Sequence, residues 1–323
     1  MASTPPTTTR RAVLVAAAAV LPAAGCTRDE PTGTRSPTDT AAATTPAASP
    51  IASVPPTVTA PAVLPELVKL EARFDAILGV YALAIGTGAT IAHRADERFA
   101  FCSTFKGLAA AAALDSNPLS SLDSKRFQYT RADLMDSSTP FTRQHVSTGM
   151  TLREACRQAI LDSDGTAGNL LLREVGGPNK LTEYLRRLDD TVTRVDRMEP
   201  DLADDTPGNL RDTTTPRAIG TDYRKIVLDE TLPLDKRTFL VELLTSSVTG
   251  RGRIRAGLPQ GWRLAHKTGT GASYGTCNDI GIAWPPNSDP LVIAIMSRKT
   301  RKADKTEALL AEATRYVVAS LTR

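Results

Sequence analysis

The stretch FAFCSTFKGLAAAAALD, residues 99–115, places a serine and a lysine three positions apart at the head of an alanine-rich apolar run. Alanine strongly favours helix, so residues 104–114 are predicted to form a buried helix. Residues three apart lie on one face of a helix, so Ser103 and Lys106 should point the same way. Either this is an ordinary helix start with one lysine that extends to water, or it is a nucleophile beside its base.

The composition is that of an ordinary globular protein. Of the 323 residues, 41% are hydrophobic and 23% are charged, and the formal net charge is only +4. The sequence has no dense cluster of Lys and Arg that alternates with aromatic residues, so we expect no nucleic-acid partner. The length allows one large domain or two closely packed ones.

Residues 1–26 have the features of an export signal. Arg10 and Arg11 precede an apolar run over residues 12–24, which is shorter than the about 20 residues that a membrane-spanning helix needs. The arginine pair is typical of twin-arginine export, and the small residues before Cys26 resemble a bacterial lipobox. We expect an exported protein that touches the membrane only through a lipid on Cys26; plain secretion, with Cys26 discarded, is the alternative.

A linker is predicted to follow this signal. Residues 27–63 are rich in Thr, Pro, Ala and Ser and contain no aromatic residue. Such a segment cannot bury enough apolar surface to offset the entropy cost of ordering it. We therefore predict a disordered tether, with the folded body beginning near Leu64.

The pattern of the body predicts an α+β fold. In chain order, the predicted elements are an amphipathic helix over 64–78, two strands of a hairpin over 79–86 and 90–101, a long helical stretch, three strands over 262–271, 277–286 and 289–298, and a last helix over 302–321. The strands from both ends should form one antiparallel five-stranded sheet flanked by the terminal helices. The α/β domain would comprise residues 64–102 and 245–323, and residues 103–244 would form an inserted all-helical domain.

The cysteines and histidines of the body indicate no metal site. The cysteines are Cys102, Cys156 and Cys277, and the histidines are His93, His145 and His266. The odd number of cysteines excludes complete internal pairing, and their spacing matches no zinc site. We expect the cysteines to be small buried packing residues. We expect no metal and no cofactor, and a monomer.

Four polar motifs are dispersed along the body. In chain order they are Ser103-Thr-Phe-Lys106, Ser163-Asp164-Gly165, Glu199-Pro200 and Lys267-Thr268-Gly269-Thr270. Each alone has a plain structural explanation: a helix start, a capped turn, a solvated loop acid and a strand with a glycine bulge. The ordered set of four is much harder to obtain by chance.

This set resembles the class A serine β-lactamases, whose motifs include S-x-x-K, S-D-N and K-T-G. The resemblance covers residues 64–323 and extends to flanking text such as RMEP, RDTTTP and GRIRAGLP. It implies the β-lactamase/transpeptidase-like fold and the hydrolysis of small β-lactam antibiotics. The broader penicilloyl-serine transferase group shares the three motifs, and the acid of the EP loop points to a hydrolase rather than to a cell-wall peptidase.

The resemblance also assigns roles in the formation of an acyl-enzyme. Ser103 would attack the lactam carbonyl, with either Lys106 or, through a water, Glu199 as its base. The backbone N–H groups of Ser103 and Thr270 would form the oxyanion hole. Ser163 would relay a proton to the ring nitrogen as the lactam opens.

Further roles concern substrate binding and the second half of the reaction. Lys267 would supply positive potential, and the antibiotic's carboxylate would be held by Thr268, Thr270 and Arg253. Glu199 would activate the water that hydrolyses the acyl-enzyme. An ion pair between Arg197 and Asp212 would tie together the ends of the loop that carries Glu199.

Three positions depart from the family pattern. Gly165 stands where S-D-N has its asparagine, so a side chain that could hold the substrate's amide carbonyl is missing. Ala203 stands four residues after Glu199, where the family usually has an asparagine that helps to orient the deacylating water. We expect slower or more selective deacylation, but not its loss. His266 precedes Lys267 where an acid is frequent, and we interpret it as peripheral.

Three functions remain open at this point. The first is an exported β-lactamase, the second a D,D-peptidase that acts on cell-wall peptides, and the third a non-enzymatic β-lactam receptor that stays acylated. Glu199 argues against the second and third, as does the absence of an additional transmembrane segment that a signalling receptor would need. Ala203 keeps the slowly deacylating receptor open.

Overall fold

Strands from the two ends of the body form one antiparallel sheet. In a computed structural model of the chain, which describes residues 63–322, the strands are β1 Ile77–Ala84, β2 Thr90–His93, β3 Phe99–Ala100, β4 Arg126–Phe127, β5 Met150–Thr151, β6 Thr213–Thr214, β7 Arg263–Thr270, β8 Cys277–Trp284 and β9 Leu291–Arg298. The large sheet has the order β2-β1-β9-β8-β7, and each neighbouring pair is antiparallel. The predicted five-stranded sheet is confirmed.

The helices fill most of the chain between the two groups of strands. They are α1 Pro65–Phe74, α2 Phe105–Ser116, α3 Pro140–Gln144, α4 Leu152–Leu161, α5 Gly165–Glu174, α6 Pro178–Arg187, α7 Pro216–Val227, α8 Leu234–Thr245, α9 Ile254–Gly257 and α10 Glu307–Leu321. No helix within residues 63–322 is long and apolar enough to cross a bilayer. The predictions of an export signal, of lipidation at Cys26 and of a linker up to residue 62 lie outside the described residues.

Helices cover both faces of the sheet. On one face, α1 and α10 bury apolar side chains such as Leu67, Leu310 and Val317 against the strands. On the other face, α7 packs against β1, β8 and β9. Because both faces are buried, β9 is a continuous apolar run rather than an alternating one. The helix α7 lies within the segment predicted to be the helical domain, and the division at residues 102 and 245 stays a prediction.

The predicted first helix extends four residues too far at its C-terminal end, because a turn and a strand follow α1 directly. The helix α1 ends at Phe74, and Asp75 has the left-handed conformation that commonly ends helices, with φ 46° and ψ 60°. The carboxylate of Glu71 accepts a hydrogen bond from the Leu78 N–H at 2.8 Å. The predicted span of 64–78 therefore contains both the helix α1 and the start of β1, and this hydrogen bond joins the two elements.

The predicted second strand over 90–101 is also wrong in its second half. The strand β2 ends at His93, and Arg94 has φ 45°. The Arg94 guanidinium lies 2.7 Å from the Glu71 carboxylate, so an ion pair with another element fixes the turn. The chain then forms β3, which pairs with β6 instead of joining the large sheet. This pairing brings the segment before Ser103 to the residues that follow Asp212.

The alanine-rich helix α2 lies at the centre of the helical part. All residues from Phe105 to Leu114 are buried, and α4, α5, α6, α7 and α8 pack around this helix. Small alanine side chains allow the neighbouring helices to approach closely. At its N-terminal end, the Tyr223 hydroxyl of α7 donates to the Thr104 carbonyl at 2.7 Å. The start of α2 is therefore fixed by a hydrogen bond from α7, the helix that packs against the sheet.

Candidate active site

The predicted nucleophile lies in the single turn of 3-10 helix that leads into α2. This turn spans Cys102–Thr104, and Ser103 is half-buried. The Lys106 ammonium donates to the Ser103 hydroxyl at 3.0 Å. The hydroxyl in turn donates to Glu199 Oε1 at 3.1 Å. The ammonium also lies 3.0 Å from Glu199 Oε1, so serine, lysine and glutamate form one closed group.

Lys106 is fully buried, and polar partners surround its ammonium. Besides Ser103 and Glu199, the ammonium donates to the Ser163 carbonyl at 2.8 Å. The glycine at position 168 makes room for the lysine, because a Cβ there would lie 2.6 Å from Lys106 Cε. Sequence reasoning missed Gly168. A glycine inside a predicted helix was the available signal.

Ser163 stands between the two buried lysines of the site. Its hydroxyl accepts a hydrogen bond from the Lys267 ammonium at 2.9 Å, while its carbonyl accepts the bond from Lys106 described above. Its φ of 64° is strained for a residue with a side chain. Asp164 fixes this turn, since its carboxylate accepts from the Ala167 N–H at 2.7 Å and from the Thr139 N–H at 2.6 Å. The capped turn predicted from sequence therefore also presents Ser163 to the cleft.

Lys267 is fully buried on β7. Burial lowers the pKa of Lys267 well below its usual value, and the positive charge of Lys106 lowers it further. The ammonium also donates to the Thr268 carbonyl at 3.0 Å. A protonated Lys267 would give this side of the cleft a positive potential suited to a carboxylate.

The loop that carries Glu199 is held at the residue itself by Asn169 of α5. The Asn169 side chain accepts from the Glu199 N–H at 2.9 Å and donates to the Glu199 carbonyl at 2.8 Å. These two hydrogen bonds hold the backbone of Glu199 on both sides of its Cα relative to α5, the helix that follows Ser163. Sequence reasoning missed Asn169, because nothing in its local pattern shows that it faces a loop thirty residues away.

The ends of the same loop meet at a buried ion pair. The Arg197 guanidinium lies 2.6 Å from Asp212 Oδ2. Asp212 Oδ1 accepts from the N–H groups of Asp196 and Arg197, at 2.8 and 3.0 Å. The Asp212 side chain is fully buried. The structure thus places Arg197 and Asp212 in contact at the base of the loop, as the resemblance implied.

Asp212→Ala should destabilise the protein strongly, because the largely buried Arg197 guanidinium loses its 2.6 Å partner and keeps only the longer 3.4 Å contact with Asp204. We expect the free energy of unfolding to fall by about 3–5 kcal/mol, measured by urea denaturation. The matched control is Asp96→Ala, which breaks the exposed pair with Arg217 and should cost at most about 1 kcal/mol. Equal losses in the two variants would contradict a special role for the pair at the loop base.

Arg253 lies behind Thr270 and not at the open surface of the cleft. It is 3% exposed, and its guanidinium donates to Glu307 at 3.0 Å, to the Gly269 carbonyl at 2.9 Å and to the Asn278 carbonyl at 2.8 Å. Its remaining nitrogen donates to the exposed Thr270 hydroxyl at 2.8 Å. Arg253 therefore orients Thr270, and Thr270 is the group that faces solvent.

The Thr268 hydroxyl also has a partner that the sequence did not suggest. It lies 2.8 Å from the hydroxyl of Thr249, which belongs to the loop after α8. His266, interpreted as peripheral, is in fact fully buried, with Nδ1 2.7 Å from Asp279. Asp279 also accepts from the Ile254 N–H at 3.2 Å. This pair therefore supports the start of α9, directly after Arg253.

Gly165 and Ala203 contribute no polar side chain to the site. Gly165 begins α5, and a Cβ there would lie 2.1 Å from Ser137 Oγ and 2.6 Å from Glu199 Oε2. Ala203 ends the short 3-10 turn Asp201–Ala203 that follows Glu199-Pro200. The position that a side chain at residue 165 would take is therefore already occupied by the Ser137 hydroxyl, next to the Glu199 carboxylate.

The cysteines are packing residues, as predicted. Cys102, Cys156 and Cys277 are free and buried. Burial raises the pKa of the Cys156 thiol to about 12 and that of Cys277 to about 11, so neither is a reactive thiolate at neutral pH. Within residues 63–322, no group of three His, Cys, Asp or Glu side chains is arranged to hold a metal ion.

A serine hydroxyl within 3.1 Å of both a buried ammonium and a carboxylate is equipped for attack on a carbonyl and for later activation of water. The sheet with terminal helices, the helical part and this serine together form the arrangement that the resemblance to the penicilloyl-serine transferase group implied. Comparison with known families is more specific. Residues 64–321 match the beta-lactamase enzyme family, and the chain belongs to that family.

The sequences and structures of known beta-lactamases are similar to this chain over most of their length. A beta-lactamase of Amycolatopsis lactamdurans is 49% identical over 262 residues, which cover 81% of this chain and 86% of the relative. A beta-lactamase of Mycobacterium tuberculosis strain H37Ra is 50% identical over 260 residues, 78% of this chain and 84% of the relative. Among solved structures, the beta-lactamase of Streptomyces albus G has a TM-score of 0.76 at 43% identity, and covers 79% of this chain and 98% of its own. A class A beta-lactamase of Clostridium kluyveri has a TM-score of 0.77 at 40% identity, with 80% and 98% covered.

Proposed function

We propose that this chain is a class A serine β-lactamase that opens the cyclic amide of β-lactam antibiotics through an acyl-enzyme on Ser103. The observation that carries the proposal is the position of Glu199. Its carboxylate lies 3.1 Å from the Ser103 hydroxyl, and Asn169 holds its peptide. A carboxylate beside the acylated oxygen can activate water for hydrolysis, which a stably acylated receptor does not need.

Acylation begins with removal of the Ser103 proton. Lys106 and Glu199 both lie within hydrogen-bond distance of the hydroxyl. Glu199 can accept that proton directly or through a water. Lys106 can accept it only as the neutral amine, after its ammonium has passed a proton to the Glu199 carboxylate 3.0 Å away. The new bond joins Ser103 Oγ to the lactam carbonyl carbon, and the carbonyl oxygen becomes an oxyanion facing the N–H groups of Ser103 and Thr270. The ring C–N bond then breaks as Ser163, hydrogen-bonded to Lys267, delivers a proton to the nitrogen. The proton taken from Ser103 is passed on to Ser163, so that Glu199 is again a carboxylate when deacylation begins.

Deacylation uses the same glutamate. Glu199 takes a proton from a water, whose oxygen attacks the ester carbonyl of the acylated Ser103. The C–O bond to the serine breaks, the serine regains its proton, and the opened product carries a new carboxylate. The antibiotic's own carboxylate is held during both steps by Lys267, Thr268 and Thr270, with Arg253 orienting Thr270.

A second candidate function rests on Ala203. This residue cannot hydrogen-bond the deacylating water through its side chain, which favours a receptor that acylates and turns over slowly. Stopped-flow mixing with a chromogenic cephalosporin separates the functions. Continuous turnover is expected of a β-lactamase, while a burst followed by no turnover would indicate a receptor. Cleavage of a D-Ala-D-Ala peptide with negligible β-lactam turnover would indicate the D,D-peptidase.

The cellular location is part of the same proposal. The arginine pair Arg10-Arg11, the short apolar run and Cys26 support export through the twin-arginine route and a lipid anchor in the cell envelope. Growth of cells with labelled fatty acid should label the full chain but not a Cys26→Ser variant. Release of an active unlabelled enzyme into the medium by the unaltered chain would instead indicate plain secretion. We also propose that the enzyme is a monomer.

The lowered pKa of Lys267 predicts how substrate binding depends on pH. Its positive charge is lost at a lower pH than that of an exposed lysine, because burial and the charge of Lys106 disfavour protonation. We expect the KM of a penicillin to rise with pH well below the pH at which an exposed lysine becomes neutral, as the ammonium that attracts the carboxylate loses its proton. Lys267→Arg should move this rise to higher pH, since a guanidinium stays protonated. A KM that does not rise anywhere below the ordinary pKa of lysine in the unaltered enzyme would exclude the assigned role.

A further inference from the structure

The space over Gly165 is bordered by groups from two other segments. The three atoms nearest to the position of a Cβ at residue 165 are Ser137 Oγ at 2.1 Å, Glu199 Oε2 at 2.6 Å and Met135 Cβ at 3.1 Å. The Ser137 hydroxyl therefore already occupies the position that a side chain at residue 165 would take, next to the Glu199 carboxylate oxygen. Of these three atoms, only the serine hydroxyl can donate a hydrogen bond while Glu199 is ionised.

The backbone around Ser137 is held by side chains of neighbouring elements. Arg143 donates to the carbonyls of Met135, Asp136 and Ser138, at 3.0–3.1 Å. The Gly165 N–H makes a long hydrogen bond of 3.5 Å to the Ser137 carbonyl. These contacts hold the backbone on both sides of Ser137 before a ligand binds, so only the rotation of its short side chain has to be fixed on binding.

The hydroxyl of Ser137 differs from that of the next serine in the chain. Ser137 is exposed, and within residues 63–322 its hydroxyl makes no hydrogen bond. The Ser138 hydroxyl is buried, lies 2.6 Å from the hydroxyl of Thr166, and accepts from the Met135 N–H at 2.9 Å. Ser138 therefore holds the segment together, while the hydroxyl of Ser137 stays available to a ligand in the cleft.

We propose that Ser137 is a specificity-determining residue that donates a hydrogen bond to the exocyclic amide carbonyl of acylamino β-lactams. This inference rests on the proposed function. In such substrates the carboxylate and the acylamino group lie on opposite sides of the lactam carbonyl. With the carboxylate beside Lys267 and Thr270 on β7, the acylamino group extends toward Gly165 and Glu199. There its carbonyl oxygen would meet Glu199 Oε2, and the Ser137 hydroxyl supplies the donor that Gly165 lacks.

Two substrates that differ in this carbonyl test the proposal. Benzylpenicillin carries the acylamino carbonyl, and 6-aminopenicillanic acid has a free amine in its place. Ser137→Ala should lower the ratio of kcat/KM for benzylpenicillin to kcat/KM for 6-aminopenicillanic acid by about 3- to 10-fold, the effect of one hydrogen bond. The quantity kcat/KM reports steps up to acylation, so a changed rate of deacylation by Glu199 does not enter this ratio. Ser147→Ala, at an exposed serine outside this segment, is the matched control and should leave the ratio of the two values unchanged.

A second comparison separates a contact with substrate from a purely structural effect. In Gly165→Ala the new methyl group takes the position of the Ser137 hydroxyl and must displace it. Adding Ser137→Ala to that variant should then leave the substrate ratio within about twofold of that of the single Gly165→Ala variant. The proposal is overturned if the ratio is unchanged in Ser137→Ala, or if Ser137→Ala lowers it equally in both backgrounds. Failure of the unaltered enzyme to hydrolyse either penicillin would instead refute the proposed function.

Discussion

Glu199→Ala is expected to stop turnover after one round of acylation. Lys106 remains 3.0 Å from the Ser103 hydroxyl in this variant, so a base for the first step is still present. The second step loses the carboxylate that activates water, and the steady-state rate should fall on the order of 10²–10⁴-fold. Rapid mixing with a chromogenic cephalosporin should show a burst close to one equivalent of enzyme, followed by almost no further colour.

A neighbouring acid in the same loop provides the control for this result. Asp201 is exposed and lies two residues after Glu199, so Asp201→Ala changes the loop's charge without removing the carboxylate beside Ser103. This variant should keep continuous turnover. If Glu199→Ala slowed acylation and deacylation to the same extent, with no burst, the separate roles assigned to lysine and glutamate would be wrong.

Lys106→Ala is expected to affect the first step instead. The variant removes the ammonium that donates to the Ser103 hydroxyl and to the Ser163 carbonyl. Ser103 then loses the amine that can take its proton, and the Ser163 carbonyl loses a hydrogen bond that holds its turn. We expect the rate of acyl-enzyme formation to fall on the order of 10²–10⁴-fold, measured as kcat/KM and as single-turnover acylation.

Lys180→Ala serves as the matched control, because Lys180 is an exposed lysine paired with Glu183 on α6. Its acylation rate should equal that of the unaltered enzyme. Glu199 lies 3.1 Å from the serine hydroxyl, and it provides the alternative base. Acylation within about tenfold of the normal rate in Lys106→Ala would therefore assign the first proton transfer to Glu199.

The features predicted well from sequence are those that local patterns determine. The alanine run after Ser103 produced the buried helix α2, and three apolar runs near the C-terminus produced β7, β8 and β9. The order of the polar motifs placed Ser103, Lys106 and Glu199 in one cleft, because the resemblance carried information about tertiary structure that spacing alone does not contain.

The boundaries that failed depend on contacts between distant segments. The helix α1 ends just before Asp75, and the strand β2 ends just before Arg94. The Glu71 carboxylate accepts hydrogen bonds close to both ends, from the Leu78 N–H and from the Arg94 guanidinium. The ion pair between Glu71 and Arg94 joins residues 23 positions apart, so it produces no periodic pattern of apolar residues in either segment. Propensity alone therefore extended both elements too far.

The same reason explains which residues of the site were missed. Asn169 and Gly168 lie on α5 among ordinary helical neighbours, and their importance comes from a loop and a lysine elsewhere in the chain. Arg253 was expected to contact the substrate directly, but three backbone and side-chain acceptors bury its guanidinium behind Thr270. Ser137 is an exposed serine in a loop, and its proposed role in binding substrate rests on its contact with the position of a side chain at residue 165, which sequence does not show.

The most direct test asks where the antibiotic is attached during turnover. The unaltered enzyme is mixed with benzylpenicillin, quenched in acid within milliseconds, and digested for peptide mass mapping. We predict a penicilloyl adduct on Ser103 that appears and disappears as product accumulates. Hydrolysis that proceeds with no adduct on that serine, or with the adduct on a different side chain, would contradict the account.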